Sequence, residues 1–386
     1  MKVAVLGDTH IGAVFGLGKP IDGGSNTRIK DYEKTMDYAI QYCIDNNVDV
    51  FIQTGDLFEK RNPTPTEIEA VDVAIRKLSS SNIATFIIMG NHDYKRFGGT
   101  YTSSLLSMPA KHYPNVRILI KPEVVSVSNE RYERINLALM PYRDKRMYSG
   151  KSTKECSIAF EEEVKGMYKS ANNKYQTIFV GHNFYFESSY NDFGGSEILA
   201  RPSCFEDFDA SFMGHYHNFK EINKNSNCFY TGSMERNNFG EAKQDKFMLI
   251  YDTSNFGVEK VKLPVKDLQE ITVDITESDL SNVSVILDKA LTDLEVEGKI
   301  VRMKIAIDES MGSLITKGKM EKRLYSLGAD YVSKIIVEKK YTKMSRDTSA
   351  LKEDSDFKMF SKFLESQRIN DETRKKIIKI AKDIVR

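Results

Sequence analysis

The chain has 386 residues, 40% of them hydrophobic and 29% charged, which describes a folded globular protein and excludes a disordered or low-complexity one. That length exceeds one ordinary core and points to two domains with an appendage. With 56 basic and 55 acidic residues the formal charge is only +1, so bulk charge announces no nucleic-acid partner and any basic surface must be local.

The N-terminus opens with the short apolar run Lys2 to Leu6, which has no signal-peptide layout. Val3 to Leu6, Val48 to Gln53, Ala84 to Met89, Ile135 to Met140, Thr177 to Val180 and Ala210 to Met213 read as buried strands. Helical stretches lie between them: Tyr32 to Asn46, and Thr64 to Ser79 with Pro65 in a permissible first-turn position. This alternation is that of an α/β fold. Residues 221–252 look like hairpin strands, including Cys228 to Thr231 and Phe247 to Tyr251. Val261 to Pro264 reads as a connector to a compact α+β module of strand Ile271 to Ile275, helix Ser281 to Glu295, strand Ile300 to Ile307, helix Met311 to Leu327 and strand Tyr331 to Glu338. Residues 339–356 are charged like a linker, and two short amphipathic helices follow. Phe357, Phe360, Phe363 and Leu364 line one; Ile377, Ile378, Ala381, Ile384 and Val385 line the other. Helices this short are marginal alone, so their apolar faces must dock on something.

The four cysteines (Cys43, Cys156, Cys204, Cys228) are scattered without a C-x-x-C pair, which fits a reducing compartment rather than a disulfide scaffold. No run approaches the ~20 apolar residues that span a bilayer. A cytoplasmic protein without membrane contact is expected.

Five of the six histidines fall in short motifs: Asp8-Thr9-His10, Gly90-Asn91-His92-Asp93, Gly181-His182-Asn183 and Gly214-His215-Tyr216-His217. Gly55-Asp56 completes the set, and His112 stands outside it. Nearly every motif follows directly on a strand, and in open α/β sheets ligands bind where carboxyl ends of strands give way to loops. A mixed Asp, Asn and His set offers oxygen and imidazole donors, which suits Mn, Fe or Zn. There are too many such residues for one ion, so a two-metal site is expected, and two ions about 3.5–4 Å apart would hold a bridging hydroxide and neutralise an attacked phosphate. Asp56 is the natural bridge, since one carboxylate serves two cations. Asp8 and His10 can serve one ion and Asn91 with His182 the other, with His215 and His217 divided between them. His92, next to Asn91 and ahead of Asp93, is the candidate to protonate the leaving oxygen, with Asp93 able to orient it.

Each motif alone is a weak signal; the ordered set is a strong one. Asp-x-His, Gly-Asp, Gly-Asn-His-Asp, Gly-His and Gly-His-x-His resemble the calcineurin-like metallophosphoesterases. Further details resemble the SbcD-type DNA repair nucleases, which include the meiotic-recombination nuclease of eukaryotes: Ile11-Gly12 after His10, Gly55-Asp56-Leu57-Phe58 followed by Pro63 and Pro65, and Tyr230 to Arg236 with Phe239-Gly240-Glu241. The motif resemblance covers about residues 1–252. It implies a four-layer αββα metallophosphoesterase sandwich (1–258), a smaller α+β DNA-capping domain (265–338), a linker (339–356) and a C-terminal helix pair (357–386).

By the same resemblance, Asp8, His10, Asp56 and His217 would hold one Mn ion and Asp56, Asn91, His182 and His215 the other, with Mg as a substitute and His92 as the catalytic histidine. The implied activity is Mn-dependent exonuclease and endonuclease cleavage of DNA within a repair or recombination complex, in a bacterial or phage-infected cell. The implied partners are DNA and a coiled-coil ATPase of the SbcC type, gripped through Phe360, Phe363, Ile377 and Ile384. A homodimer is implied through the Thr64–Ser79 helix and the 102–108 stretch, where Leu105, Leu106 and Met108 lack an obvious core role. Arg143, Lys145 and Arg146 are candidate DNA contacts, and this basic segment together with the run from Lys317 to Arg323 stands against a phosphoesterase of non-DNA substrates. Gly150-Lys151-Ser152 is no P-loop, because Lys145 stands where the first glycine is required, so no ATP is expected on this chain. Glu59 departs from the family, which often has His or Asp there, and the stretch between His10 and Asp31 is glycine-rich. The rival readings are a phosphoesterase acting on another phosphate ester, and a non-catalytic DNA-end-binding scaffold.

Overall fold

Alternation along single strands explains the layering. In Lys2–Leu6, Val3 and Val5 enter one apolar cluster and Ala4 and Leu6 another, so a continuous apolar run is buried on both faces. The same split occurs in Arg134–Met140, where Ile135, Leu137 and Leu139 face one way and Ala138 and Met140 the other.

The computed structural model describes residues 1–13, 16–22, 25–97, 100–148, 152–182, 198–223, 227–275, 282–292, 294–308, 315–340, 360, 363–365 and 371–384. Two six-stranded sheets form its centre. The first has the spatial order Gly257–Lys262, Phe247–Asp252, Lys2–Leu6, Val50–Gln53, Ala84–Ile88 and Val116–Leu119. The second runs Lys220–Asn223, Cys228–Tyr230, Ala210–Met213, Thr177–Gly181, Arg134–Met140 and Glu123–Ser128. Val3, Val5, Ile52 and Ile88 of the first sheet meet Leu137, Leu139, Val180 and Phe212 of the second in the inner core. Helices α1 (Ile29–Asp45) and α2 (Pro65–Ser80) cover the outer face of the first sheet through Met36, Ile40, Val71 and Leu78. Helix α3 (Thr153–Ser170) covers the second through Cys156, Phe160, Val164 and Met167. The result is the αββα sandwich. All four cysteines are buried and outside any disulfide, and no helix among the described residues is long and apolar enough to cross a membrane.

Local chemistry sets the helix ends. Thr64 caps α2 in a reciprocal box with Glu67, and Ser152 caps α3 in the same way with Glu155. The serine of the Gly150-Lys151-Ser152 tripeptide is therefore a helix cap, while residues 149–151 lie outside the described ones. Helix α3 and strands Val116–Leu119 and Glu123–Ser128 were not legible as elements. Val261 is not a connector: it pairs with Met248 in the edge strand Gly257–Lys262. Leu105 and Met108 are fully buried in the core beside α2, which corrects their reading as surplus apolar residues; Leu106 alone of the three is exposed.

The chain forms two compact units, one of Met1–Val273, Leu287–Lys304 and Thr316–Ile336, the other of Asp274–Ile286, Ile305–Ile315 and Val337–Arg386. Strands Leu268–Asp274, Ile300–Asp308 and Tyr331–Lys340 make a three-stranded sheet with Ile300–Asp308 in the middle. Helices α4 (Val283–Thr292) and α5 (Lys317–Ser326) belong to the same stretch. The helix expected from Met311 is described only from Lys317, since 309–314 lie outside the described residues. Helix α6 (Asp371–Ile384) carries Ile377 and Ile378, both half-buried. Before it, Phe360 is half-buried, Phe363 exposed and Leu364 buried, and Arg374 Nε donates to the Leu364 carbonyl at 3.2 Å. Residues 341–359, most of the expected linker, lie outside the described ones, as does the side chain of Ile384.

Candidate metal centre

Parallel strands of both sheets end at one place. Lys2–Leu6, Val50–Gln53 and Ala84–Ile88 lead into Asp8, Asp56 and Asn91; Thr177–Gly181 and Ala210–Met213 lead into His182 and His215. The sheets are tied there by main-chain and side-chain bonds. His215 N donates to Asp8 Oδ2 at 2.7 Å, and His182 Nδ1 lies 2.8 Å from the Thr54 carbonyl.

The loops are tight. His10 (φ 48°), Asp56 (φ 50°) and His215 (φ 78°) hold left-handed backbone, a cost of roughly 1–3 kcal/mol each that clusters where surrounding structure enforces a functional geometry. Two glycines leave the room: a Cβ on Gly55 (φ 103°) would fall 2.5 Å from His182 Nδ1, and one on Gly90 would overlap the Asp56 carboxylate.

Two groups of donors result. His10 Nε2 and His217 Nε2 face each other at 2.9 Å, with Asp8 Oδ2 3.9 Å from the latter. Asn91 Oδ1 lies 2.9 Å from His182 Nε2 and 2.7 Å from His215 Nδ1. Asp56 Oδ2 stands between the groups, 3.7 Å from His10 Nε2 and 3.4 Å from His182 Nε2. Asp8, His10, Asp56 and His182 are at most 2% exposed. The chemistry of these residues fits divalent metal: Asp8 Oδ1 is buried without a hydrogen-bond partner, and ring nitrogens and carboxylate oxygens converge in groups that could hold an ion.

Electrostatics separates the two buried carboxylates. Burial would raise Asp56, but the imidazoles of His182 and His10 outweigh it and hold its carboxyl well below the usual range. Burial dominates at Asp8 and raises it against the pull of His182. His182 is pushed up to about 9, its burial being outweighed by Asp56 and Asp8, while burial and the neighbouring His182 push His215 down to about 3.

His92 sits at the rim. Its backbone N–H donates to Asp56 Oδ1 at 2.8 Å, and its ring Nδ1 lies 2.7 Å from the Glu59 carbonyl. Asp93 does not orient that ring. Its carboxylate instead accepts from the backbone N–H groups of Gly90 (3.0 Å), Leu57 and Phe58 (both 3.2 Å), clamping the second motif loop to the third. Two further carboxylates stand beside these imidazoles: Glu59 Oε2 is 2.8 Å from His10 Nδ1, outside hydrogen-bond geometry, and Glu241 Oε1 is 3.3 Å from His217 Nδ1. The departure from the family at Glu59 and the Phe239-Gly240-Glu241 motif were the only signals for them.

The expected DNA contacts are engaged internally. Arg143 Nη2 lies 3.0 Å from Glu163, Arg146 pairs with Asp144, and Lys145 Nζ donates to Thr153 Oγ1 at 3.1 Å. His112 is exposed on a short turn of 3₁₀ helix, away from any motif.

Over residues 1–219 the chain matches the family described as Calcineurin-like phosphoesterase. It is similar to the DNA double-strand break repair protein Mre11 of Methanosarcina mazei, 25% identical over 335 residues, covering 85% of this chain and 48% of that protein. It is also similar to exonuclease subunit 1 of Enterobacteria phage T4, 23% identical over 364 residues, covering 87% and 93%. A third relative is the DNA double-strand break repair protein Mre11 of Thermoplasma acidophilum, 24% identical over 374 residues, covering 94% and 90%. The chain thus spans about half the length of the Methanosarcina protein (48%) and nearly all of the other two.

Proposed function

The chain belongs to the calcineurin-like phosphoesterase family, and from that membership we propose that it is a manganese-dependent DNA nuclease, the exonuclease and endonuclease subunit of a repair or recombination complex. The observation that carries the reading is the convergence of two donor groups on Asp56, whose carboxylate faces imidazoles of both. The names of the similar proteins, two double-strand break repair proteins and an exonuclease subunit, favour DNA as the phosphodiester.

Asp8, His10, Asp56 and His217 would hold one ion, Mn or Mg, and Asp56, Asn91, His182 and His215 the other. Bound there, the pair supplies Lewis-acid polarisation of the phosphate and a water of lowered pKa. The chain's own contribution is orientation. The Thr54 carbonyl takes the His182 Nδ1–H and turns Nε2 inward. The Glu59 carbonyl fixes His92 Nδ1 as a donor, so that in the imidazolium form the second proton, on Nε2, is the one handed to the leaving oxygen. Asp93, by holding three N–H groups, keeps the Asn91-His92 turn in register with Asp56.

The remaining assignments follow the resemblance. Residues 1–258 act as the nuclease domain, 265–338 as a DNA cap, 339–356 as linker and 357–386 as the segment that grips a coiled-coil ATPase through Phe360, Phe363, Ile377 and Ile384. ATP is used by that partner. DNA contact by Arg143, Lys145 and Arg146 requires Arg143 and Arg146 to exchange a carboxylate for a phosphate. A homodimer would use α2, where Val73 is 44% exposed, together with Leu106; light scattering of the purified chain reads this. The direct test of the main reading is cleavage of linear single- and double-stranded DNA by the purified chain with Mn, with chelator as control. Hydrolysis of simple phosphate esters with no cleavage of DNA would overturn it.

A further inference from the structure

The two donor groups differ in what stands behind them. Behind His10, the Glu59 carboxylate approaches Nδ1 to 2.8 Å as a charge neighbour outside hydrogen-bond geometry, and behind His217, the Glu241 carboxylate lies within hydrogen-bond reach, 3.3 Å from Nδ1. Both rings therefore turn Nε2 toward their common position, where the two nitrogens are 2.9 Å apart. His182, in the other group, is backed by the neutral Thr54 carbonyl at 2.8 Å; Asp8 Oδ1 is 3.7 Å from the same nitrogen, beyond hydrogen-bond reach. The first group also owns a private carboxylate, Asp8, where the second has the neutral amide of Asn91.

Glu241 is built into place for this task. Its Oε2 accepts from Lys246 Nζ at 2.6 Å and from Asn237 N at 3.3 Å, and its Oε1 accepts from Asn238 Nδ2 at 2.8 Å. Lys246, only 1% exposed, also donates to the His217 carbonyl at 2.9 Å, so the Glu241 carboxylate and the His217 main chain are anchored to one cation. A carboxylate on the remote nitrogen of a ligating imidazole fixes its tautomer and strengthens it as a donor, and losing such a partner typically costs 10–100-fold in metal affinity.

We infer that Glu59 and Glu241 are positioning residues that make the two cation sites unequal: the ion held by Asp8, His10 and His217 binds first and more tightly, and the ion held by Asn91, His182 and His215 binds second. The inference rests on the two-ion reading above. Its test is a calorimetric titration of the metal-free full chain with Mn, with free Mn followed by electron paramagnetic resonance.

The wild-type chain should take up two ions in a tighter and a weaker step. Glu241→Gln should weaken the tighter step by about 10–100-fold, Glu59→Gln should weaken the same step through the lost negative charge, and both should leave the weaker step unmoved. Asn91→Ala should do the reverse. Because Glu241 is linked to buried Lys246, each variant is first shown to melt as a folded protein, and Glu59→Gln carries the test if Glu241→Gln does not fold. Two ions bound with equal affinity, or folded glutamine variants that leave the tighter step unchanged or weaken both steps alike, would overturn the inference alone. Uptake of fewer than two ions by the wild-type chain would overturn the two-ion reading and this inference with it.

Discussion

Replacing His92 with Gln separates chemistry from binding. The imidazole meets the rest of the centre edge-on at the His10 ring, centroids 4.9 Å apart, and its Nδ1 is satisfied by the Glu59 carbonyl at 2.7 Å. What ties residue 92 to the donor groups is its main-chain N–H, 2.8 Å from Asp56 Oδ1, and that bond survives any side-chain change. The side chain is also 36% exposed, so truncation leaves no sealed cavity and little stability is lost. Mn uptake and DNA affinity should therefore be unchanged in His92→Gln. Turnover should fall by ~10²–10⁴, the usual share of a general acid, or about 2.7–5.4 kcal/mol of barrier. The assay is single-turnover cleavage of end-labelled DNA at saturating enzyme, with bound Mn measured on the same sample. His10, Glu59 and His92 also place one donor atom each close together, so the competing reading is that His92 is itself a ligand. A variant that loses Mn in step with activity would establish that reading and refute the general-acid role.

Other perturbations test other levels of the structure. Asp56→Ala removes the carboxylate that stands between the two donor groups, so Mn stoichiometry should drop to zero and cleavage disappear; stoichiometric Mn with normal cleavage would disprove the bridging role. Arg28 is 1% exposed and donates to Glu235 Oε2 at 2.9 Å and to the Arg236 carbonyl at 2.8 Å. Arg28→Met leaves a buried glutamate uncompensated and should cost about 3–5 kcal/mol, lowering Tm by roughly 6–20 °C, with part recovered in the Arg28→Met/Glu235→Leu double variant. An unchanged melting curve would show that the pair contributes nothing. Removal of residues 345–386 should leave Mn-dependent cleavage of simple DNA substrates intact, since every proposed ligand precedes residue 218, and abolish co-purification with a coiled-coil ATPase. Complex formation by the truncated chain would place that interface elsewhere.

The sequence by itself determined the frame of this protein and the identity of its candidate ligands. Both are local properties. Apolar runs such as Val3 to Leu6 and Ile135 to Met140 announce strands whatever packs on them, and the ligands lie within a few residues of those strands' ends, so chain order alone delivers them to one edge. The calcineurin-like match and the αββα layering agree with that reading. Only the tertiary structure decided which side chains meet through space. Asp93 follows His92 in the chain, yet its carboxylate points into the backbone N–H groups of Gly90, Leu57 and Phe58, because residues adjacent in an irregular turn project in different directions. The carboxylates that stand behind imidazoles come instead from Glu59, 49 positions from His10, and Glu241, 24 positions from His217. Leu105 and Met108 looked like surplus apolar residues because nothing in a short irregular stretch shows which way it faces; packing beside α2 placed both in the core and left Leu106 outside. Periodicity and motif order are written along one dimension, and ligand orientation, charge pairing and the facing of short irregular stretches arise only when distant segments are brought into contact.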